Sequence, residues 1–265
     1  MKILLIIIVI SLIWAVYENK FMLAVRRERL GKGVKIAHIS DIHKRQFGEN
    51  NCKIAEKTAR NAPDMIFITG DLVSRDETDL TAAEKFLRSL CDISPVYMVL
   101  GNHEQSLENI RQENFCRMAE RCGAVLIRNN CVSTEIKGRK FSIYGLELPY
   151  TVYRKNKSYC ELDTVDRQDI ENLIGKKCGG EVLLLAHNPL FGKVYAEWGA
   201  DYTFSGHVHG GVVRLFGKGI LSPERKFFPS YSKGVYDISG RKLLVSAGTG
   251  KLRLFDPPEI VIYEI

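Results

Sequence analysis

Five short polar motifs, each placed at the end of an apolar run, constrain this chain more than any other feature. They are Asp41-Ile42-His43, Gly70-Asp71, Gly101-Asn102-His103-Glu104, Ala186-His187-Asn188 and Gly206-His207-Val208-His209. Of the six histidines in 265 residues, only His38 lies outside them. Short apolar runs bounded by turn residues read as buried strands. In an open α/β sheet, the residues just past the carboxyl ends of the strands are where ligands bind. Carboxylate and amide oxygens mixed with imidazole nitrogens, without thiolate, suit a pair of divalent metals. Such pairs serve in-line displacement at phosphorus.

The periodicity predicts strands over 34–39, 65–69 and 96–100, separated by helices over about 51–60, 79–90 and 106–122. That alternation is the mark of parallel strands joined by crossover helices. A short apolar run over 124–127 ends this half, and the texture then changes. Residues 131–136 and 141–144 alternate around Lys137-Gly138-Arg139-Lys140, a hairpin signal. A helix over about 163–173, strands over 181–185 and 202–204, and a strand-rich tail over 234–264 follow. The expected fold is α/β: two sheets packed face to face as a β-sandwich flanked by helices, with every motif emerging along one edge. His38, inside the first strand, reads as a packed core histidine.

The amino terminus reads separately from this domain. Residues 3–17 are apolar except for Ser11, and Trp14 and Tyr17 suit an aromatic belt. As a helix the run spans roughly 22 Å at ~1.5 Å per residue, short of the ~30 Å of bilayer hydrocarbon unless residues 21–25 extend it. A membrane helix over 1–25 is favoured over a cleaved signal peptide, because Trp14-Ala15-Val16-Tyr17 offers no small-x-small site, and over a buried helix. Residues 26–33 then form a basic juxtamembrane linker and 34–265 the catalytic domain. Lys2 alone precedes the run, whereas Lys20, Arg26, Arg27, Arg29, Lys32 and Lys35 follow it. The positive-inside rule therefore predicts a single-pass cell-membrane protein with its domain on the cytoplasmic side. Seven cysteines, an odd number without a CxxC pair, agree with a reducing compartment. A net charge of +7 suits an anionic substrate or membrane surface, or simply a solvated basic face.

Complete and in order, the five motifs resemble the signature of the calcineurin-like metallophosphoesterase superfamily, from about Val34 to the end of the chain. The carboxy-terminal stretch, with Tyr231-Ser232-Lys233-Gly234, Val245-Ser246-Ala247-Gly248 and Pro258-Glu259-Ile260, is similar to the bacterial membrane-associated branch with an N-terminal hydrophobic segment. The resemblance implies that Asp41, His43 and His209 bind one metal, that Asn102, His187 and His207 bind a second, and that Asp71 bridges them. His207-Val208-His209 on an extended segment would send both imidazoles to one face. His103 would stabilise or protonate the leaving-group oxygen, a role suited to an unperturbed pKa near ~6.5, with Glu104 in support. Manganese is the favoured ion, with iron and zinc as alternatives.

Arg75 stands where some family members contact phosphate with an arginine, and a surface ion pair is the competing reading. Val212 replaces a residue that is polar in many relatives. The expected activity is hydrolysis of a phosphate ester or pyrophosphate bond, in a lipid-linked or nucleotide-diphospho substrate. Generic phosphodiesterase or phosphatase activity on small molecules is the alternative, and a non-catalytic scaffold is a third reading. No nucleic-acid-binding fold or long basic stripe is present, and nothing indicates an oligomeric state. Two segments, 150–159 and 221–228, interleave aromatic rings with cations. They suit an amphipathic anionic substrate, or else they are basic loops that pack their rings on the domain.

Overall fold

Strands of the amino-terminal half are apolar without alternation, and Ile36 to Ile39, Met65 to Thr69 and Val96 to Val99 are buried at every position. Such strands require cover on both sheet faces. The computed structural model describes residues 2–159, 161–223, 225–250 and 253–265, apart from the side chains of Leu4 and Ile8. In chain order the helices are α1 (Lys2–Phe21), α2 (Cys52–Ala59), α3 (Thr81–Cys91), α4 (Asn102–Gln105), α5 (Asn109–Arg121), α6 (Arg167–Ile174) and α7 (Gly192–Trp198). The strands are β1 (Ala24–Arg29), β2 (Lys35–Ile39), β3 (Met65–Thr69), β4 (Val96–Val99), β5 (Val125–Leu126), β6 (Asn130–Ile136), β7 (Arg139–Leu146), β8 (Glu181–Ala186), β9 (Tyr202–Ser205), β10 (Arg214–Leu215), β11 (Lys218–Gly219), β12 (Gly234–Ile238), β13 (Arg241–Val245) and β14 (Glu259–Glu264).

Two mixed six-stranded sheets result, ordered β1-β14-β2-β3-β4-β5 and β12-β13-β9-β8-β7-β6. In the first, β2 to β5 are parallel and β14 is antiparallel to β2. In the second, β7, β8, β9 and β13 are parallel, and hairpin partners close both edges. Phe67, Tyr97, Ile143, Leu183, Phe204, Leu244 and Tyr263 fill the space between the sheets. Ile54, Phe86, Leu90, Phe115 and Met118 bring α2, α3 and α5 onto the outer face of the first sheet. Ile170, Tyr195 and Trp198 bring α6 and α7 onto that of the second. The result is the expected pair of sheets flanked by helices.

Three segments depart from expectation. The strand predicted over 34–39 is the second in the chain, because Ala24–Arg29, read as the end of an anchor and a linker, forms β1 along β14. The charged run Arg26-Arg27-Glu28-Arg29 obscured it, since an edge strand exposes one face to water. The Arg26 guanidinium reaches the buried Glu259 at 3.2 Å and holds this strand to the sheet. Residues 192–198, left without an element, form α7, a short helix whose Gly192 packs against Leu243. Between β4 and α5 the single-turn helix α4 carries Asn102 and His103.

Helix α1 exposes Ile3, Ile6, Ile10, Ile13 and Trp14. Among the described residues, no helix is long and apolar enough to cross a membrane. Its last turns are docked on the domain: Ala15 is buried, Asn19 Nδ2 donates to the Arg253 carbonyl at 2.8 Å, and Arg45 Nη1 donates to Asn19 Oδ1 at 2.6 Å. Arg45 Nη2 also donates to the Asn19 carbonyl. The stretch beyond this anchorage, residues 3–14, spans roughly 18 Å at ~1.5 Å per residue.

His38 is fully buried, edge-on to Phe204 and beside Tyr263, with Nε2 at 2.8 Å from Thr69 Oγ1 and Nδ1 without a partner. Burial, and then the Arg26 charge, push its pKa down to about 3, so it is a neutral core residue. Above about pH 6.5 it is neutral in both the folded and the unfolded chain. Below that, the unfolded chain takes up a proton that the fold rejects until about pH 3, so stability falls as pH drops through this window. We expect chemical denaturation of the chelated protein to lose on the order of 1.4 kcal/mol per pH unit from this group between pH 5.5 and 3.5. The slope should flatten by that amount in His38→Met, and an unchanged slope would exclude His38 as its source.

Candidate metal centre

Each ligand candidate sits just past a strand. Asp41 and His43 follow β2, Asp71 follows β3, Asn102 follows β4, His187 follows β8, and His207 and His209 follow β9. Because the sheets are face to face with parallel cores, these ends meet on one rim. Ligating atoms of Asp41, His43 and His209 lie within 4.8 Å of one another, as do those of Asp41, Asp71 and His187. Asp71 Oδ2 is 3.4 Å from His187 Nε2 and 3.7 Å from His43 Nε2, so one carboxylate faces both groups. Asn102 Oδ1 lies 3.1 Å from His187 Nε2, and the His207 ring is 5.0 Å from that of His187, centroid to centroid. His209 Nε2 is 4.0 Å from Asp41 Oδ1. Thus all seven candidates from the sequence converge.

The backbone bends sharply to achieve this. Asp41, His43, Asp71, His207 and His209 all have left-handed φ, between 51° and 68°. Non-glycine residues rarely adopt such angles, and each costs about 1–3 kcal/mol unless the surroundings enforce it. His207-Val208-His209 is therefore a turn rather than the expected extended segment, and the Val208 side chain is fully buried. The close approach of neighbouring strand ends also excludes side chains. A Cβ on Gly101 would overlap the Asp71 carboxylate, and one on Gly206 would overlap Ser40 and Asp41.

The donor set fits divalent cations. His187 Nδ1 lies 2.6 Å from the Thr69 carbonyl, which can only accept, so Nδ1 carries the proton. Its Nε2 then faces Asp71 Oδ2 and Asn102 Oδ1, and three lone-pair atoms converge. Burial disfavours the imidazolium, but the Asp71 carboxylate outweighs burial and pushes His187 up to about 9. A cation would satisfy the same three atoms without that proton. Donor separations of 3.4–4.0 Å suit atoms that share an ion at ~2.1 Å from each. Burial opposes the charge of Asp71 too, yet His187, then His43 and His103, hold its pKa well below the usual carboxylate range.

His103 adjoins this cluster, its ring 4.4 Å from that of His43. Burial lowers its pKa to about 4, and His43 and Arg75 add to that while Asp71 opposes it. The unperturbed value expected from the sequence is thus replaced by a ring that is neutral at pH 7. Arg75 Nη2 is 3.1 Å from His103 Nε2, and the Arg75 amide is 3.3 Å from Nδ1. Both are donors, whereas a neutral imidazole has one acceptor nitrogen. Arg75 is therefore part of the site rather than a surface ion pair, as its spacing after Gly70-Asp71 had allowed.

Glu104 is the main support. Its carboxylate accepts from the amides of Asp71 at 2.8 Å, Gly101 at 2.8 Å and Val73 at 2.9 Å. The His103 amide in turn donates to Asp71 Oδ1 at 2.8 Å. Tyr153 packs on His207 at 5.0 Å and on His187 at 5.9 Å, centroid to centroid. It comes from a loop remote in sequence, so only its aromatic–basic surroundings signalled it. Arg154 and Tyr159 of the same loop line the opening beside Asp71, His103 and His209.

Two substitutions test this arrangement through metal content rather than rate. Asp71→Asn should bind fewer than two equivalents of manganese by elemental analysis after loading. Glu104→Gln turns an amide NH2 toward a buried backbone N–H, which costs about 1–3 kcal/mol, so its melting temperature and metal content should fall together. Full metal content and an unchanged melting temperature in Glu104→Gln would remove its supporting role.

A family model described as calcineurin-like phosphoesterase matches residues 34–211. The chain is 30% identical over 256 residues to an uncharacterized metallophosphoesterase of Aquifex aeolicus, covering 91% of this chain and 89% of that protein. It is 24% identical to the UDP-2,3-diacylglucosamine pyrophosphatase LpxG of Chlamydia muridarum, over 96% of this chain and 92% of that one. The fold is similar to that of the Thermus thermophilus sulfate thiohydrolase SoxB, with a TM-score of 0.53 at 14% identity, over 87% of this chain and 55% of that one. With its motifs gathered into a carboxylate–imidazole cluster at the strand ends, the chain belongs to the calcineurin-like phosphoesterase family and is a metal-dependent phosphoester hydrolase.

Proposed function

We propose that this hydrolase cleaves a phosphate ester or pyrophosphate bond in a lipid-linked or nucleotide-diphospho substrate, tethered to the cell membrane through α1 with its catalytic domain on the cytoplasmic side. The observation that carries the substrate reading is the wall of the pocket beside the metal centre, which combines Arg75 and Arg154 with Tyr150, Tyr153 and Tyr159. Two guanidinium groups suit two anionic phosphoryl groups, and the rings suit the flat or apolar parts of a larger molecule. The relative named as a UDP-2,3-diacylglucosamine pyrophosphatase is consistent with that chemistry.

Asp41, His43 and His209 would hold one ion, Asn102, His187 and His207 the other, and Asp71 both. Bound there, two divalent ions supply Lewis acidity and lower the pKa of water; manganese suits the mixed oxygen and nitrogen donors, as do iron and zinc. Glu104 keeps Asp71 aimed at both groups through the backbone, and Tyr153 holds the rings of His187 and His207. Arg75 would turn its fork from His103 onto the phosphoryl oxygens, an exchange that frees the His103 ring. His103, kept neutral by burial, would then present an N–H to the leaving-group oxygen, stabilising the charge that develops there.

The tether rests on the exposed isoleucines and Trp14 of α1 and on its docked end. A helix whose free stretch is shorter than the hydrocarbon is wide would enter one leaflet and leave the domain at the surface. Lys20, Arg26, Arg27 and Arg29 after the apolar run and the six free cysteines among the described residues favour the cytoplasmic side.

The test is turnover by the full-length, manganese-loaded chain of a UDP-linked acylated sugar, a phospholipid, a cyclic nucleotide and a phosphomonoester. We expect the acylated diphospho compound to show the highest kcat/KM, with Asp71→Asn inactive. His103→Ala should retain both ions while slowing turnover by about 10²–10⁴. A cyclic nucleotide cleaved faster than the acylated compound would replace this reading with a small-molecule phosphodiesterase. Undiminished turnover by Asp71→Asn would remove the bridging role.

A further inference from the structure

Beyond α1, the described surface carries a second group of large exposed apolar side chains. The hairpin formed by β10 and β11 turns at Phe216, which is 101% exposed. The segment behind it places Phe227 at 72% and Phe228 at 66% exposure. Leaving such rings in water forgoes the gain of burying them, and exposed apolar patches on soluble surfaces mark places where something docks.

A backbone ladder joins these rings to the base of α1. Leu254 shares a cleft with Val16 and Phe21 of that helix. Its amide donates to the Val212 carbonyl at 2.7 Å, and its carbonyl accepts from the Arg214 amide at 3.0 Å. The Ile220 amide donates to Val213 and the Phe228 amide donates to Ile220, each at 2.8 Å. Leu221 pairs with Phe227. Hairpin and following segment thus form one ledge, continuous with the place where α1 leaves the domain.

Cations accompany the rings. Lys218, Arg225 and Lys226 are exposed on the ledge, and Lys20 and Lys44 line the cleft at its other end. Arg225 also lies 5.8 Å from the Tyr159 ring, which borders the opening of the metal site. Apolar tips flanked by lysine and arginine match the interface of an anionic bilayer, where rings enter the headgroup boundary and cations meet lipid phosphates.

We propose that this ledge is a second membrane contact, with Phe216, Phe227 and Phe228 inserted into an anionic leaflet beside α1, so that the metal site opens at the lipid surface. A single helix would leave the domain free to rotate. Two contacts on one rigid body hold the opening against the bilayer, where an acylated phosphate substrate needs to leave the leaflet only as far as its headgroup. The inference rests on the membrane reading of α1 given above, and the following experiment separates the two.

Trp14 lies on α1, and the only other tryptophan, Trp198, is buried. The full-length chain and the double variant Trp14→Phe/Phe216→Trp are each mixed with vesicles of phosphatidylcholine and phosphatidylglycerol, with and without bromine on the acyl chains. Trp198 supplies the unquenched background, and unchanged hydrolysis of a soluble phosphodiester shows that the variant is folded. We expect bromine to remove about half of the emission of the indole introduced by Phe216→Trp, as for a ring ~5–10 Å inside the interface. The effect should weaken in vesicles of phosphatidylcholine alone. Quenching of Trp14 without quenching at 216 would overturn the second contact and leave the tether intact. Quenching at neither position would overturn both. A blue-shifted emission from position 216 before vesicles are added, together with a dimer in sedimentation, would assign the ledge to a second copy of the chain instead.

Discussion

The Asp71 carboxylate is the constraint on which the rest of the site depends. It lies buried within reach of His187, His43 and the Asp41 group, a position that would be unfavourable for an unpaired charge. Positive charge must gather around it, as imidazolium in the free protein or as metal ions in the working enzyme. Its own direction is set by Glu104, a second buried carboxylate that grips the backbone on both sides of the site. Burial and the nearby Asp71 raise the pKa of Glu104 above the usual carboxylate range, and the three backbone amides favour its charged form. A positively charged centre next to Asp71 would relieve both carboxylates at once, so metal binding and local folding are coupled here.

The geometry that brings these groups together comes from the two-sheet architecture. Parallel strands from both sheets end on a common rim, and each contributes one or two polar residues where its hydrogen-bond ladder stops. Positive φ at five of the seven candidate ligand positions shows that the rim is shaped against local backbone preference. The extensive core between and outside the sheets enforces those angles. Stability is thus given up at the rim for a fixed arrangement of donors, a common exchange at catalytic centres.

Access to the centre is governed by segments that belong to neither sheet. The loop with Tyr153 and Arg154 covers the His187–His207 side, and the ledge with Arg225 approaches the same opening through Tyr159. Helix α1 joins the domain at the far end of that ledge, its docked turn held by Arg45 and the Arg253 carbonyl. The docked end of the helix and the mouth of the site are therefore joined through one continuous run of backbone and side-chain contacts.

Local pattern in the sequence determined the buried strands, most of the helices between them, and the identity of the polar residues at the strand ends. Those features repeat at short spacing, and a ligand's type is legible wherever its motif is contiguous. Edge strand β1 was not legible, because its run of charges is that of any solvated segment and only pairing with β14, more than two hundred residues away, makes it a strand. The turn at His207-Val208-His209, the depressed pKa of His103, the placement of Arg75 and the grip of Glu104 likewise depend on atoms contributed by distant segments. Sequence names the donors; burial, close backbone approach and the crossing of remote strand ends decide how they point, which protons they carry and what they can hold.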